Sequence, residues 1–169
     1  MAREEKCILT NMCMVYDGTR ILVQDRMNPD WPGITFPGGH VERRESFVDS
    51  VIREVEEETG LKISNVQLCG IKQWTHREGK YRYIVLFYKT DTYFGELKSS
   101  DEGSVFWIEK ENLKNYVLAE GFEGMFEVFE RNDLSENYHW LENGEWKEEN
   151  KRWKYEGLLL CNAPLDFGT

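Results

Sequence analysis

The sequence predicts an α/β fold: a mixed β-sheet with helices packed on it, followed by a short C-terminal extension. Three observations carry that reading. Residues 46–59 place Val48, Val51, Ile52 and Val55 at i, i+3, i+4 and i+7, one apolar stripe of an α-helix. Residues 80–90, KYRYIVLFYKT, are apolar on both parities, as suits a central strand buried on both faces. The chain has 169 residues, 40% of them hydrophobic and 14% aromatic. At this size folding hides about 70% of the surface of the unfolded chain, so a core forms without disulfide or metal staples.

Taken in order, residues 7–16 (CILTNMCMVY) read as a strand, Asp17-Gly18 as a turn and 19–26 (TRILVQDR) as the hairpin partner. MNPDWPG at 27–33 is a loop, and 34–36 a short strand running into Pro37-Gly38-Gly39. The helix at 46–59 opens with a capping box, Ser46 and Asp49, and stops at Gly60. Residues 66–75 and 80–90 form two strands joined around Glu78-Gly79, and 104–108 (SVFWI) another. Helices follow at 109–115 and 120–131, the second with Phe122, Met125, Phe126 and Phe129 on one side. Asn143-Gly144 between strand-like segments is a hairpin signal within the tail 132–169. The expected organisation is a domain over 1–131 and an extension over 132–169, packed on that domain or at a dimer contact.

The chain carries 31 acidic and 21 basic residues, a net charge of −10. Such a chain repels a phosphate backbone and anionic lipid, which argues against general DNA binding and membrane association. A phosphate-bearing small molecule remains compatible if a cation mediates the contact. The N-terminus lacks the pattern of a signal peptide, and the apolar run near residues 83–88 is far short of the roughly 18 residues that span a bilayer. Cys7, Cys13, Cys69 and Cys161 include no C-x-x-C pair and read as reduced thiols of a cytoplasmic protein.

Part of the acid has an address. Residues 39–61, GHVERRESFVDSVIREVEEETGL, hold seven acids and three arginines. Glu54, Glu57 and Glu58 share one helix face at i, i+3 and i+4, about a third of a turn from the apolar stripe. Like charges there repel, so a cation is the natural complement, and an all-oxygen donor set favours Mg²⁺ or Mn²⁺ over zinc. A solvated acidic face with surface ion pairs is the alternative reading.

The order of the residues narrows the choice. Gly39, Glu45 and the run from Arg53 to Leu61 match the pattern G-x5-E-x7-R-E-U-x-E-E-x-G-U, with U apolar, at every specified position. This resembles the Nudix box, and the element order over roughly residues 5–131 resembles the Nudix fold, an α/β/α sandwich with a mixed sheet. The tail lies outside the resemblance.

The resemblance implies hydrolysis of a nucleoside diphosphate linked to a further group, X, with a divalent cofactor, Mg²⁺ or Mn²⁺. By matching position, Glu54, Glu57 and Glu58 would hold the metal, joined by the carbonyl of Gly38 next to the box Gly39, which itself is assigned to substrate binding. Glu54 is also a candidate general base, with Arg53 and Glu45 orienting the cluster or serving structure alone. Many MutT-like relatives add a glutamate from a loop before a late strand. Glu102, in DEGSVFW, has that setting, though it also reads as a plain turn residue. Arg26 after the second strand and Glu120 near the last helix are the substrate-binding candidates. Trp31, Trp74 and Tyr83 are candidates for stacking on a base or for core packing.

Markers of other Nudix branches are missing: His76, Arg77 and Glu78 stand where ADP-ribose and dinucleoside polyphosphate hydrolases carry a proline or a tyrosine, and the SQPWPFPQ array of NADH hydrolases is absent. The remainder resembles MutT-type nucleoside triphosphate pyrophosphohydrolases, including those acting on 8-oxo-dGTP. The alternatives are pyrophosphate removal from an RNA 5′ end and a non-catalytic nucleotide-binding domain. The partner is a small nucleotide, the protein a monomer or homodimer.

Overall fold

The computed structural model describes residues 4–76 and 78–153. Arg77, Cys161 and the end of the tail lie outside them. The strands are β1 (Cys7–Asp17), β2 (Arg20–Arg26), β3 (Gly33–Thr35), β4 (Lys62–Ser64), β5 (Gln67–Thr75), β6 (Arg82–Thr90), β7 (Thr92–Phe94), β8 (Gly103–Glu109), β9 (Leu134–Glu142) and β10 (Glu145–Arg152). The helices are α1 (Phe47–Thr59) and α2 (Phe122–Glu130). A 3₁₀ segment occupies Lys110–Asn115, where the sequence suggested an ordinary helix.

The main sheet runs β10-β9-β5-β6-β1-β2-β3, with β8 also on β2. It is mixed: β1 is parallel to β6 and β5 to β9, while the other pairs are antiparallel. Strand periodicity builds two cores from one sheet. Met12 and Met14 of β1, Val23 of β2 and Phe87 of β6 face Phe122, Met125 and Phe129 of α2. Cys13 and Val15, Leu22, and Leu86 and Tyr88 of the same strands face Val51 and Val55 of α1. Burial on both faces explains why these strands read as continuous apolar runs.

Helix α1 starts where expected. Ser46 Oγ accepts the Asp49 N–H at 3.0 Å, and Gly60 closes the helix in the left-handed conformation, φ 73°. One expectation needs correction: Val48 is not part of the buried stripe and is 45% exposed. The stripe is narrower because α1 packs on the sheet through Val51 and Val55, with Ile52 partly buried beside them and Val48 outside that cluster.

The charged segment after Asn143-Gly144 is strand β10, paired with β9 from Glu145↔Glu142 to Arg152↔Leu134. Strand β9 in turn lies parallel to β5, with Ile71 opposite Glu136 and Gln73 opposite Tyr138. The hairpin therefore continues the domain's own sheet, and Leu134 and Asn137 are buried in it. Two short strands, β4 and β7, pair apart from the main sheet and were not evident in the sequence.

Candidate active site

The loop after β3 brings the glycines to the site. Cys13 N–H donates to the Pro37 carbonyl at 2.9 Å, Asn11 N–H to that of Gly39 at 2.8 Å, and Val41 N–H to that of Leu9 at 3.0 Å. The loop is thus laced to β1. Gly38 adopts φ 153°, and a Cβ there would run into the backbone of Asn11 and Met12. A Cβ on Gly39 would occupy the space of the Glu54 carboxylate. Both glycines let the loop lie between β1 and α1 with carboxylates against it.

Arg53 organises the acids. Its Nε and Nη2 hold the two oxygens of Glu45 at 2.7 and 2.9 Å, a bidentate pair. Its Nη1 reaches Glu54 at 2.8 Å and Glu57 at 3.0 Å, and Nη2 also donates to the His40 carbonyl at 3.1 Å. The Arg53 guanidinium holds the Glu45 carboxyl down at about 2. Glu54 is pushed up from the ordinary carboxylate range by burial, which outweighs Arg53.

Glu58 is only 3% exposed. Its Oε2 accepts the Gly38 N–H at 2.8 Å, while its Oε1 is buried without a partner. Burial first, then the nearby carboxylates of Glu102 and Glu54, raise its pKa to about 8. Glu102 precedes β8, and the pairing of Arg26 with Gly103 across β2 and β8 carries it to the site. So Glu54, Glu58 and Glu102 approach one another, whereas Glu57 lies on the outer rim, its side chain 60% exposed. Among the described residues no three His, Cys, Asp or Glu side chains are closed around a common point. The fit to a cation is one of charge and donor type: an orphaned, buried carboxylate oxygen of Glu58 with further carboxylates beside it is what a hard divalent ion would satisfy.

Glu54 and Glu102 line a cavity of about 820 Å³. Gly38, Gly39, Arg26 and Glu120 line it, as do Trp31, Trp74 and Tyr83. Trp74 and Tyr83 stack on each other, centroids 4.4 Å apart, and the Arg26 guanidinium lies 5.5 Å from the Trp31 ring. These aromatics pack on the α2-side core, as the packing reading expects, and also line the cavity. His76 and Glu78 do not line the cavity. Sequence reasoning missed Lys72 of β5 and His139, Trp146 and Glu148 of the hairpin, which also line it. Lys72 lies in a strand of mixed polarity, QLCGIKQWT, and gave no distinctive signal. The hairpin residues gave none, because nothing local placed β9 on β5.

The match to a family model, described as the NUDIX domain, spans residues 9–151 and so includes most of the hairpin. The chain belongs to the Nudix family. It is 32% identical over 117 residues, 67% of this chain and 72% of the other, to the uncharacterized Nudix hydrolase YvcI of Bacillus subtilis. It is 33% identical to the ADP-ribose pyrophosphatase of Methanocaldococcus jannaschii over 86 residues, 51% of each chain. Among solved structures it resembles the mutator MutT protein of Bacillus halodurans, with a TM-score of 0.70 and 26% identity over 84% of this chain and 97% of that one. The Nudix assignment makes the chain a member of a hydrolase family that acts on nucleoside diphosphate derivatives and generally uses divalent metal ions. No helix among the described residues is long and apolar enough to cross a membrane.

Proposed function

We propose that this Nudix protein is a Mg²⁺- or Mn²⁺-dependent pyrophosphohydrolase of free nucleoside triphosphates, oxidised ones included, releasing the monophosphate and pyrophosphate. The observation that carries the reading is the meeting of Glu54, Glu58 and Glu102, two of which, Glu54 and Glu102, line a cavity with aromatic walls. The acids suit the diphosphate end of a nucleotide through a cation, and the aromatic walls suit its base.

In this reading Glu54, Glu57, Glu58, Glu102 and the Gly38 carbonyl are the candidate holders of the cation. When bound, the ion would offset diphosphate charge and lower the pKa of a coordinated water. Glu54 takes the proton of the attacking water; its raised pKa brings it nearer the working pH, as a general base requires. Arg53 fixes the carboxylate of Glu54 and is itself fixed by Glu45. Arg26, with Nε buried and unpartnered, is positioned to meet the nucleotide beside Trp31.

A second reading is ADP-ribose hydrolysis, favoured by the likeness to the Methanocaldococcus enzyme. Pyrophosphate removal from RNA 5′ ends is disfavoured by the net charge of −10. The test is turnover of a panel by purified protein with Mg²⁺: nucleoside triphosphates, ADP-ribose and triphosphorylated RNA. Preferential release of pyrophosphate from free triphosphates supports the first reading, and preferential release of AMP from ADP-ribose replaces it with the second.

A further inference from the structure

The cavity is also lined by a charge that the hydrolysis does not use, Lys72 of β5. Lys72 is 7% exposed, yet its ammonium makes no hydrogen bond or ion pair among the described residues. Nζ lies 5.7 Å from the Trp74 ring centre and borders Gly121: a Cβ built there would sit 3.2 Å from both Nζ and the His139 ring. Glu120 and Glu148 face the ammonium across the cavity without closing on it. Their attraction partly offsets burial, which brings the Lys72 pKa down to about 8. His139 is held neutral by burial and by Lys72, its pKa lowered to about 4.

A buried cation left unpaired is unfavourable, and such groups persist where a ligand completes them. Lys147 also lines the cavity but is paired with Glu145 at 2.9 Å, so Lys72 beside two carboxylates offers no net positive charge to hold a phosphate. What it offers is one strong donor between two strong acceptors. The complementary ligand is neutral and carries one acceptor beside two donors. Guanine presents that edge, with O6 as acceptor and N1–H and the 2-amino group as donors. Hypoxanthine lacks one donor, and adenine has no carbonyl for the lysine.

We propose that Lys72, with Glu120 and the hairpin residue Glu148, forms a recognition site for the base edge of a 6-oxopurine nucleotide, guanine above all. The site rests on the reading of the cavity as a nucleotide site. Lys72 donates to O6, and the two carboxylates accept from N1–H and the 2-amino group. Trp31 fixes the Glu120 end, its indole N–H donating to the Glu120 carbonyl at 3.0 Å. Glu148 is fixed from the hairpin side by Asn137 at 3.3 Å and by His139 at 3.1 Å. The hairpin is then a specificity element, and the base preference depends on β9 and β10.

Two measurements on the full chain test this. The first is steady-state hydrolysis of GTP, ITP and ATP by the wild type, Lys72→Met and Glu148→Gln. The expected order is GTP, then ITP, then ATP. Lys72→Met is expected to raise KM for GTP and ITP by about tenfold or more, with kcat within about twofold and ATP little affected. Glu148→Gln is expected to weaken GTP more than ITP. The second is binding of GMP and AMP to metal-free protein, read by tryptophan fluorescence, with GMP tighter in the wild type and that preference reduced in Lys72→Met. Triphosphate hydrolysis without a base preference, or a loss equal for all bases in Lys72→Met, overturns the site while leaving the hydrolase reading intact. No hydrolysis of any nucleotide overturns that reading instead, and the binding arm then decides the base site: equal affinity for GMP and AMP in the wild type refutes it. Glu148→Gln alters a side chain 44% exposed and keeps the test open should Lys72→Met fail to fold.

Discussion

Glu58 is bound to Gly38 by a 2.8 Å hydrogen bond from the glycine N–H, which ties the last turn of α1 to the loop after β3. The other oxygen of that carboxylate is buried without a partner. One residue thus joins the box glycine segment to the box helix, and carries an unmet demand for a positive neighbour.

Glu58→Gln is therefore expected to do opposite things to activity and to stability. Activity falls by about a hundredfold or more, since a charged candidate ligand is lost. Metal-free stability rises at alkaline pH. In the folded chain the Glu58 pKa is raised to about 8, so the folded state holds its proton more tightly than the unfolded one. Glu58 imposes no penalty below its ordinary pKa near 4.5, and a growing one as pH rises toward 8. Thermal unfolding in EDTA at pH 8.5 checks this: a lower Tm for Glu58→Gln than for wild type contradicts it.

Glu45 has the opposite sign. Its pKa is depressed to about 2 by Arg53, so its contribution is complete above the ordinary value near 4.5 and is lost as pH falls toward 2. Denaturant unfolding of wild type and Glu45→Gln is expected to converge across that window, and parallel curves from pH 6 to pH 2 refute it. Arg53→Lys cannot reproduce the bidentate grip, and its kcat is expected to fall about 10–100-fold with the fold retained.

The two box-region glycines separate fold from chemistry. Gly39→Ala puts a methyl group where the Glu54 carboxylate lies, so kcat is expected to fall more than about tenfold while Tm moves little. Gly38→Ala meets β1 backbone at a positive φ and is expected to destabilise by about 1–3 kcal/mol. Kinetics and calorimetry on the pair check the split.

His139 makes the hairpin pH-sensitive. Its pKa falls to about 4 through burial and the Lys72 ammonium, which outweigh the Glu148 oxygen 3.1 Å away. The unfolded state binds the proton more readily, so stability rises with pH from about 4 to 6.5. His139→Gln is expected to flatten that slope, as read by urea unfolding across the window, and an unchanged slope contradicts the assignment.

Much of the fold was legible because its signals are local. The Ser46 cap, the Gly60 stop, the both-faces apolarity of β6 and the Asn143-Gly144 turn each sit within a few residues of what they determine. The box residues stood out through their match to the Nudix pattern, since the spacing of the three glutamates alone left a solvated acidic face open. Contacts across long stretches of chain were not. Glu102 gave only a loop-before-strand hint, and its neighbourhood with Glu58 depends on β8 pairing with β2. Lys72 was not singled out, since its burial depends on β9 lying on β5, and Val48 fitted the helical period although it is exposed. Parallel pairing without a turn signal, as in β5 with β9, leaves no local mark.

The most direct test of the central claim is hydrolysis of nucleoside triphosphates by the purified chain, followed by ³¹P NMR with Mg²⁺, with EDTA, and in Glu57→Gln and Glu58→Gln. The account predicts stoichiometric monophosphate and pyrophosphate with Mg²⁺, none with EDTA, and loss of most activity in both folded variants. A folded protein that turns over no nucleoside diphosphate derivative with Mg²⁺ or Mn²⁺ would contradict it.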